Sequence, residues 1–220
     1  MKNLVLITSI IDIPIDKPFN YTNIRSIYSR EDRFEDTKQT IESIKKYIPE
    51  SMIILIDCSK LRDYEEEYLK NNCNYVLNLW ENKELHNDIF GLSKSLGEGT
   101  LMIKAIEFII NNNIKYDNLF KISGRYKLNN NFIYEKFNNN NSIFLKCDEN
   151  NVSTILYKIT NNYTNELLNF LKLNYDAMRG CIQYETLINF FVNNKIANVI
   201  YINKLGVEGK IAVSKDYYNS

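Results

Sequence analysis

Four apolar runs rich in β-branched residues alternate with segments of helical periodicity, and that alternation constrains the fold of this chain more than any other feature. The runs cover residues 3–11, 51–57, 74–80 and 118–123. Between the first two, Phe34, Ile41, Ile44 and Ile48 recur at helical spacing and Pro49 ends the pattern. Leu61, Tyr68 and Leu69 mark one face of a charged helix over 61–72, and Leu101, Ala105, Phe108 and Ile109 one face of a helix over about 97–113. Parallel strands need a crossover, and a helix of this length supplies it. The expected fold is therefore α/β, a mostly parallel, doubly wound central sheet flanked by helices.

Local signals set the boundaries. The first run meets Asp12 and Pro14 at once and has no small-residue cleavage site, so it reads as a buried first strand rather than a secretory leader. A long loop over 12–29 follows, a length that is often functional. Ser29 with Asp32 three residues on has the form of a capping box. Residues 81–93 read as a polar loop. The second half is less regular. It suggests a short helix at 132–137, a polar turn at 138–141, strands at 142–146 and 154–159 in antiparallel relation, helices at 164–175 and 183–194, a last strand at 199–202, and a tail holding Gly206 and Gly209. The turn at 138–141 is too short for a linker, so 220 residues are expected to form one domain.

Composition excludes several functions. Lys and Arg total 27, as do Asp and Glu, so the chain lacks the basic excess of a protein that coats nucleic acid. No apolar run approaches the roughly 20 residues that span a membrane. Cys58, Cys73, Cys147 and Cys181 form no CxxC pair, which disfavours a zinc knuckle and fits free thiols in a reducing, cytoplasmic setting. The single histidine, His86, rules out a His-rich metal site and reads as solvated. GxSxG, GxxxxGK[ST] and GxGxxG are all absent. The bias toward Asn, Ile, Lys and Tyr points to an AT-rich genome.

Candidate chemistry gathers at strand ends, where open α/β sheets bind ligands. The fourth run, Asn118-Leu119-Phe120-Lys121-Ile122-Ser123, leads into Gly124-Arg125-Tyr126. Gly124 permits a close approach, Arg125 is a fork for phosphate, and Tyr126 offers a ring for a sugar or base; the competing reading is a structural arginine and a core tyrosine. Lys94-Ser95-Leu96-Gly97-Glu98-Gly99-Thr100 sets a lysine and two glycines at a helix start, which favours a diphosphate or is simply a capped helix. Glu98 would push such a ligand off the helix axis. Asp57 ends the second strand and either contacts a nucleoside or caps the next helix. Glu185, near a helix start, is a candidate base for an acceptor hydroxyl or a surface acid, with Asp148 and Glu149 as rivals. Arg25, Arg30 and Arg33 precede or open the first helix. They could meet a diphosphate, but for at least two of them pairing with nearby acids is the simpler account.

Together the first strand and its loop, the helix at 30–49, residues 94–100 and residues 120–128 resemble small GT-A glycosyltransferases found in viral and microbial glycan-building gene sets. The resemblance covers about residues 1–135, with Glu185 as a further match. It implies a Rossmann-like GT-A fold, with residues 1–135 as a nucleotide-sugar donor half and 136–220 as a smaller, mixed acceptor half. It implies transfer of a sugar from a nucleotide-diphosphosugar to a glycan or protein hydroxyl. Donor-binding residues would be Asp57, Lys94, Gly97, Ser123, Gly124, Arg125 and Tyr126, and Glu185 and Arg125 would act in catalysis. Viral context would place it in the host cytoplasm. Mn²⁺ or Mg²⁺ is the cofactor of many such enzymes, held by Asp-x-Asp after the fourth strand. Here that position reads Ser123-Gly124-Arg125, so no metal ligand is assigned. The alternatives are a sugar nucleotidyltransferase and a non-catalytic nucleotide- or carbohydrate-binding module.

Overall fold

The computed structural model describes residues 1–14 and 16–220. Its first half alternates β1 (Asn3–Thr8), α1 (Arg30–Tyr47), β2 (Met52–Asp57), α2 (Asp63–Asn72), β3 (Tyr75–Asn78), α3 (Lys83–Ile89), α4 (Lys94–Asn111) and β4 (Asn118–Ser123). The second half runs β5 (Tyr126–Leu128), α5 (Tyr134–Phe137), β6 (Ser142–Leu145), β7 (Leu156–Thr160), α6 (Thr164–Leu173), α7 (Tyr175–Arg179), α8 (Tyr184–Lys195), β8 (Val199–Ile202), β9 (Val207–Lys210) and β10 (Tyr217–Asn219). A seven-stranded sheet has the order β3-β2-β1-β4-β7-β6-β8, and a small sheet joins β10, β9 and β5. In the large sheet β7 alone runs against its neighbours β4 and β6. The architecture is the mostly parallel, Rossmann-like α/β sheet that the alternation of runs predicts.

The interior place of β1, between β2 and β4, explains why the first run is apolar throughout. All six residues of β1 are buried, because helices cover both faces of the sheet. Leu4 and Leu6 join Ile54, Ile56 and Leu119 in a core with α4, α6, α7 and α8. Val5 and Ile7 face the other way, into a core with Ile53, Leu55, Phe120 and the Phe34 and Ile41 side of α1. Each such aliphatic burial contributes about 1.5–3 kcal/mol. The capping box forms as expected: the Ser29 hydroxyl accepts from Asp32 N–H, and the Asp32 carboxylate accepts from Ser29 N–H.

Some boundaries differ from the sequence reading. Residues 83–89, expected in a polar loop, form α3. Its His86 is half-buried rather than solvated, set against the Trp80 ring with Nε2 2.7 Å from the Trp80 carbonyl oxygen. Helix α4 starts at Lys94, three residues early, because Ser93 caps it. The strand at 199–202 is not the last. The tail carries β9 and β10, whose hairpin pairs with β5, a strand of three residues too short to show a periodic pattern.

The order 3-2-1-4 has one functional consequence. After β1 the chain crosses toward β2 and β3, then returns through α4 to place β4 on the other side of β1. A crevice opens at such a switch, at the carboxyl ends of β1 and β4.

Candidate active site

The crevice is built by tying the residues after β1 and β4 together. Gly124 N–H donates to the Thr8 carbonyl (2.8 Å), and the Thr37 hydroxyl of α1 donates to the Gly124 carbonyl (3.1 Å). A Cβ on Gly124 would lie 3.0 Å from Ser9 Cβ and 3.3 Å from Ile7 Cγ2, so a side chain here would crowd the residues at the end of β1. Beyond β1 the turn is pinned from below. Ile11 N–H donates to Asp57 Oδ2 (3.1 Å) and to Ser59 Oγ (2.9 Å), and Arg33 Nε donates to the Ile10 carbonyl (2.7 Å). Asp57 is fully buried and lines neither cavity of the crevice, so of the two readings left open the structure places it in the loop support. Burial pushes its carboxyl pKa up, against the pull of Ser59, Ser9, the Ile11 N–H and Arg33.

Two adjoining cavities of about 180 and 470 Å³ occupy the crevice. Tyr21, Lys94, Glu98, Ser123, Arg125 and Tyr126 line both. The first has apolar walls from Ile10, Phe19, Phe90 and Leu101 and is roofed by Ile211, Ala212 and Val213 of the tail. Its charged lining is Arg25, Arg33, Lys94 and Arg125 against the single carboxylate of Glu98. Burial lowers the Arg25 guanidinium to about 10. Burial, followed by the neighbouring charge of Arg125, lowers Arg33 to about 9. Arg25 donates to the Lys17 and Gly91 carbonyls and lies 4.1 Å from the centre of the Phe19 ring. Of the three arginines, only Arg30 pairs with acids among the described residues, with Asp12 and Glu65, whereas Arg25 and Arg33 donate to carbonyls, so the expected acid pairing of at least two of the three does not form.

The Lys94–Thr100 segment does two jobs. Lys94, at the first turn of α4, extends to within 3.6 Å of Glu185 on the first turn of α8. Partial burial works against its charge, but Glu185, Tyr21 and Glu98 outweigh it and hold its pKa above the ordinary lysine value. Gly97 lines the first cavity, and a Cβ there would lie 2.7 Å from the Ile89 carbonyl oxygen, so this glycine lets α4 pass close to α3. Glu98 is neutralised by Lys121, a fully buried residue of β4, at 2.5 Å, and accepts from Thr8 Oγ1 at 3.0 Å. Burial alone would raise the Glu98 pKa; Lys121 overcomes it and holds it below the ordinary glutamate value.

Most of the expected residues meet here. Lys94, Gly97, Ser123, Gly124, Arg125 and Tyr126 line one or both cavities, and Glu185 lines the second, where it accepts from Thr154 Oγ1 (3.2 Å). Arg125 reaches out of the crevice to the Lys210 carbonyl (3.2 Å). Tyr126 is buried, its ring packed edge-on against Tyr218, so only part of it faces the cavities. Asp148 and Glu149 are exposed and line neither cavity. Sequence reasoning missed Phe19, Tyr21 and residues 211–213. The length of the loop over 12–29 signalled the first two; residue 15 of that loop lies outside the described residues. Nothing in the tail signalled the rest.

No protein-family model matches the chain. No curated protein matches it. Among solved structures it is similar to the crystal structure of a glycosyltransferase involved in the glycosylation of the major capsid of PBCV-1, with 11% sequence identity and a TM-score of 0.46, over 92% of this chain and 82% of that one.

Proposed function

We propose that the chain is a GT-A type glycosyltransferase that uses a nucleotide-diphosphosugar donor and an acceptor hydroxyl. One observation carries this reading: four cationic side chains and one carboxylate line a cavity with apolar walls, at the switch point of a mostly parallel sheet. Such a cavity matches a ligand with a flat apolar base and a charged diphosphate. Arg33 and Arg25 hold their protons less firmly than usual because they are buried, and Arg33 also because Arg125 is near. An anion bound between them relieves that penalty.

In this reading Lys94 and Arg125 stabilise the departing diphosphate. Glu185 takes the proton of the acceptor hydroxyl, whose oxygen bonds to the anomeric carbon as the bond from that carbon to the diphosphate breaks. Asp57 positions the donor wall through the Ile11 amide rather than by touching the donor. A divalent cation does not fit the donor set. The place of Asp-x-Asp holds Ser123-Gly124-Arg125, and the crevice carboxylates Glu98 and Glu185 are each engaged by a lysine. Among the described residues no three His, Cys, Asp or Glu converge. The charge on the diphosphate is therefore assigned to Lys94 and Arg125.

Thermal unfolding with a panel of nucleoside diphosphates and nucleotide sugars, in EDTA and in Mn²⁺, tests the reading. One nucleotide family should stabilise the protein in EDTA as well as in Mn²⁺, by about 2.7 kcal/mol at a hundredfold excess over Kd. Arg125→Ala should lose both that stabilisation and donor turnover. No shift with any nucleotide overturns the proposal. Binding without turnover selects the binding module, and turnover of a nucleoside triphosphate with a sugar phosphate selects the nucleotidyltransferase.

A further inference from the structure

The large sheet ends in β8, and the outer edge of that strand is open. β8 pairs with β6 alone, in unbroken parallel register from Ser142 opposite Val199 to Leu145 opposite Ile202. Among the described residues no other backbone group bonds to residues 199–202. An open edge presents N–H and C=O groups that another strand can meet, and monomeric proteins guard it with charge, proline or a bulge. β8 reads Val199-Ile200-Tyr201-Ile202 and has none of the three. Ile200 and Tyr201 are 40% and 42% exposed. The Tyr201 hydroxyl donates to Asn193 Oδ1 (3.0 Å), which sets the end of α8 beside the strand. One turn back along α8, Phe190 is 59% exposed. Strand edge and helix face thus lie side by side, uncovered and largely apolar.

Charge points to a second copy of this chain as the occupant. In a twofold interface the same patch meets itself, so it must tolerate its own charges. From Thr186 to Val207 there is no Asp or Glu, and the charged residues are Lys195 and Lys204. Asn193, Asn194, Asn198 and Asn203 are exposed around the strand. An amide both donates and accepts, so it can pair with its own counterpart, as a lysine or a carboxylate cannot. Opposed residues of an antiparallel pair share a face of the sheet, so a twofold axis there passes through a residue and opposed positions are an even number apart. Lys195 and Lys204 are nine positions apart and never face one another. An axis through Ile200 sets Val199 against Tyr201 of the second copy; an axis through Tyr201 sets Ile200 against Ile202. The other free edge, β3, is less compatible with itself, because α2 beside it carries four carboxylates and one lysine. Four residues of edge fall short of the about 800 Å² that each partner buries in a stable interface, so the exposed face of α8 has to join the contact.

We propose that the chain forms a twofold dimer by antiparallel pairing of β8 with β8 of a second copy, which joins the two large sheets into one. Phe190 and the asparagines of α8 close the contact on one face. This does not depend on the transferase reading. The crevice stays open, because β4 lies three strands in from this edge. α8 links the two places: Glu185 on its first turn lines the second cavity, and Phe190 faces the second copy.

Sedimentation equilibrium of the intact chain between about 1 and 100 µM tests this, and the mass at the upper end should be twice that of one chain. Ile200→Lys sets a charge at or next to the axis and should weaken dimerisation by at least about tenfold. Tyr75→Lys, on the β3 edge, should leave it unchanged. Cysteine trapping reads the same contact without relying on the folding of the lysine variant. Cys58 and Cys73 are buried, and burial pushes their thiols up to about 12, so they react slowly. In a chain with Cys147→Ser and Cys181→Ser, Ile200→Cys or Tyr201→Cys should then be joined between chains by a short bis-maleimide, and Tyr75→Cys should not. A monomer at every concentration overturns the proposal and leaves the edge to a different polypeptide. A dimer that neither β8 cysteine traps overturns it as well, and so does a dimer that Tyr75→Lys dissociates and Ile200→Lys does not.

Discussion

Lys121 shows how one side chain acquires meaning only through its partner. In the sequence it is a lysine inside an apolar strand, and in the fold it is fully buried 2.5 Å from Glu98. It also donates to the Thr154 carbonyl (2.6 Å) and Ser123 Oγ (2.9 Å). Removing it would strand a carboxylate on the crevice floor. Lys121→Met is expected to cost about 3–5 kcal/mol, as for other broken buried pairs. Adding Glu98→Gln should recover a large part of that loss, which a double-mutant cycle by urea unfolding would measure. If the double variant is no more stable than Lys121→Met, the pair does not set the cost. Arg125, Lys94 and the two glycines were legible because strand ends and helix starts are local patterns. For Asp57 two readings stayed open because a carboxylate at a strand end can turn down toward the adjacent loop as readily as up toward a ligand, and burial, which decides, is not a local property.

At the scale of elements, the signals that worked were those that complete within a few residues. Ser29 and Asp32 close the capping box of α1, and α1 carries Arg33 and Thr37 to the crevice. Ser29→Ala should cost about 1 kcal/mol of stability. Urea unfolding of that variant should show a lower midpoint at an unchanged slope, and no change in midpoint would mean that packing alone holds the start of this helix. The signals that failed were those that depend on distant partners. Helix α3 is seven residues long and mostly polar, and it is held by Ile89 and by the His86–Trp80 contact rather than by its own propensity. β5 and β9 are strands because they find each other far along the chain, Tyr126 opposite Gly209 and Leu128 opposite Val207.

For the molecule as a whole, the two faces of the sheet treat the same residue type differently. Lys158 of β7 is also fully buried, but among the described residues it donates only to the Phe137 and Asn139 carbonyls and the Asn139 side chain, and burial lowers it from 10.5 to about 8. The folded state therefore releases this proton before the unfolded chain does. Between about pH 8 and 10.5 the unfolded state binds more protons, so this group's contribution to stability rises with pH. The unfolding free energy of the wild type minus that of Lys158→Met should increase across that window, and a flat difference would refute the assignment. The alternation of apolar runs and helical stripes by itself determined the mostly parallel sheet, the burial of β1 and the strand ends that border the crevice. Those features follow from continuous apolar runs and the 3.6-residue helical period, which short windows display. Only the tertiary structure decided that Glu98 is neutralised, that Lys94 faces Glu185 and that residues 211–213 roof the first cavity. Each of those contacts joins residues far apart in the chain or on different elements, and their energies depend on burial, a property of the packed molecule.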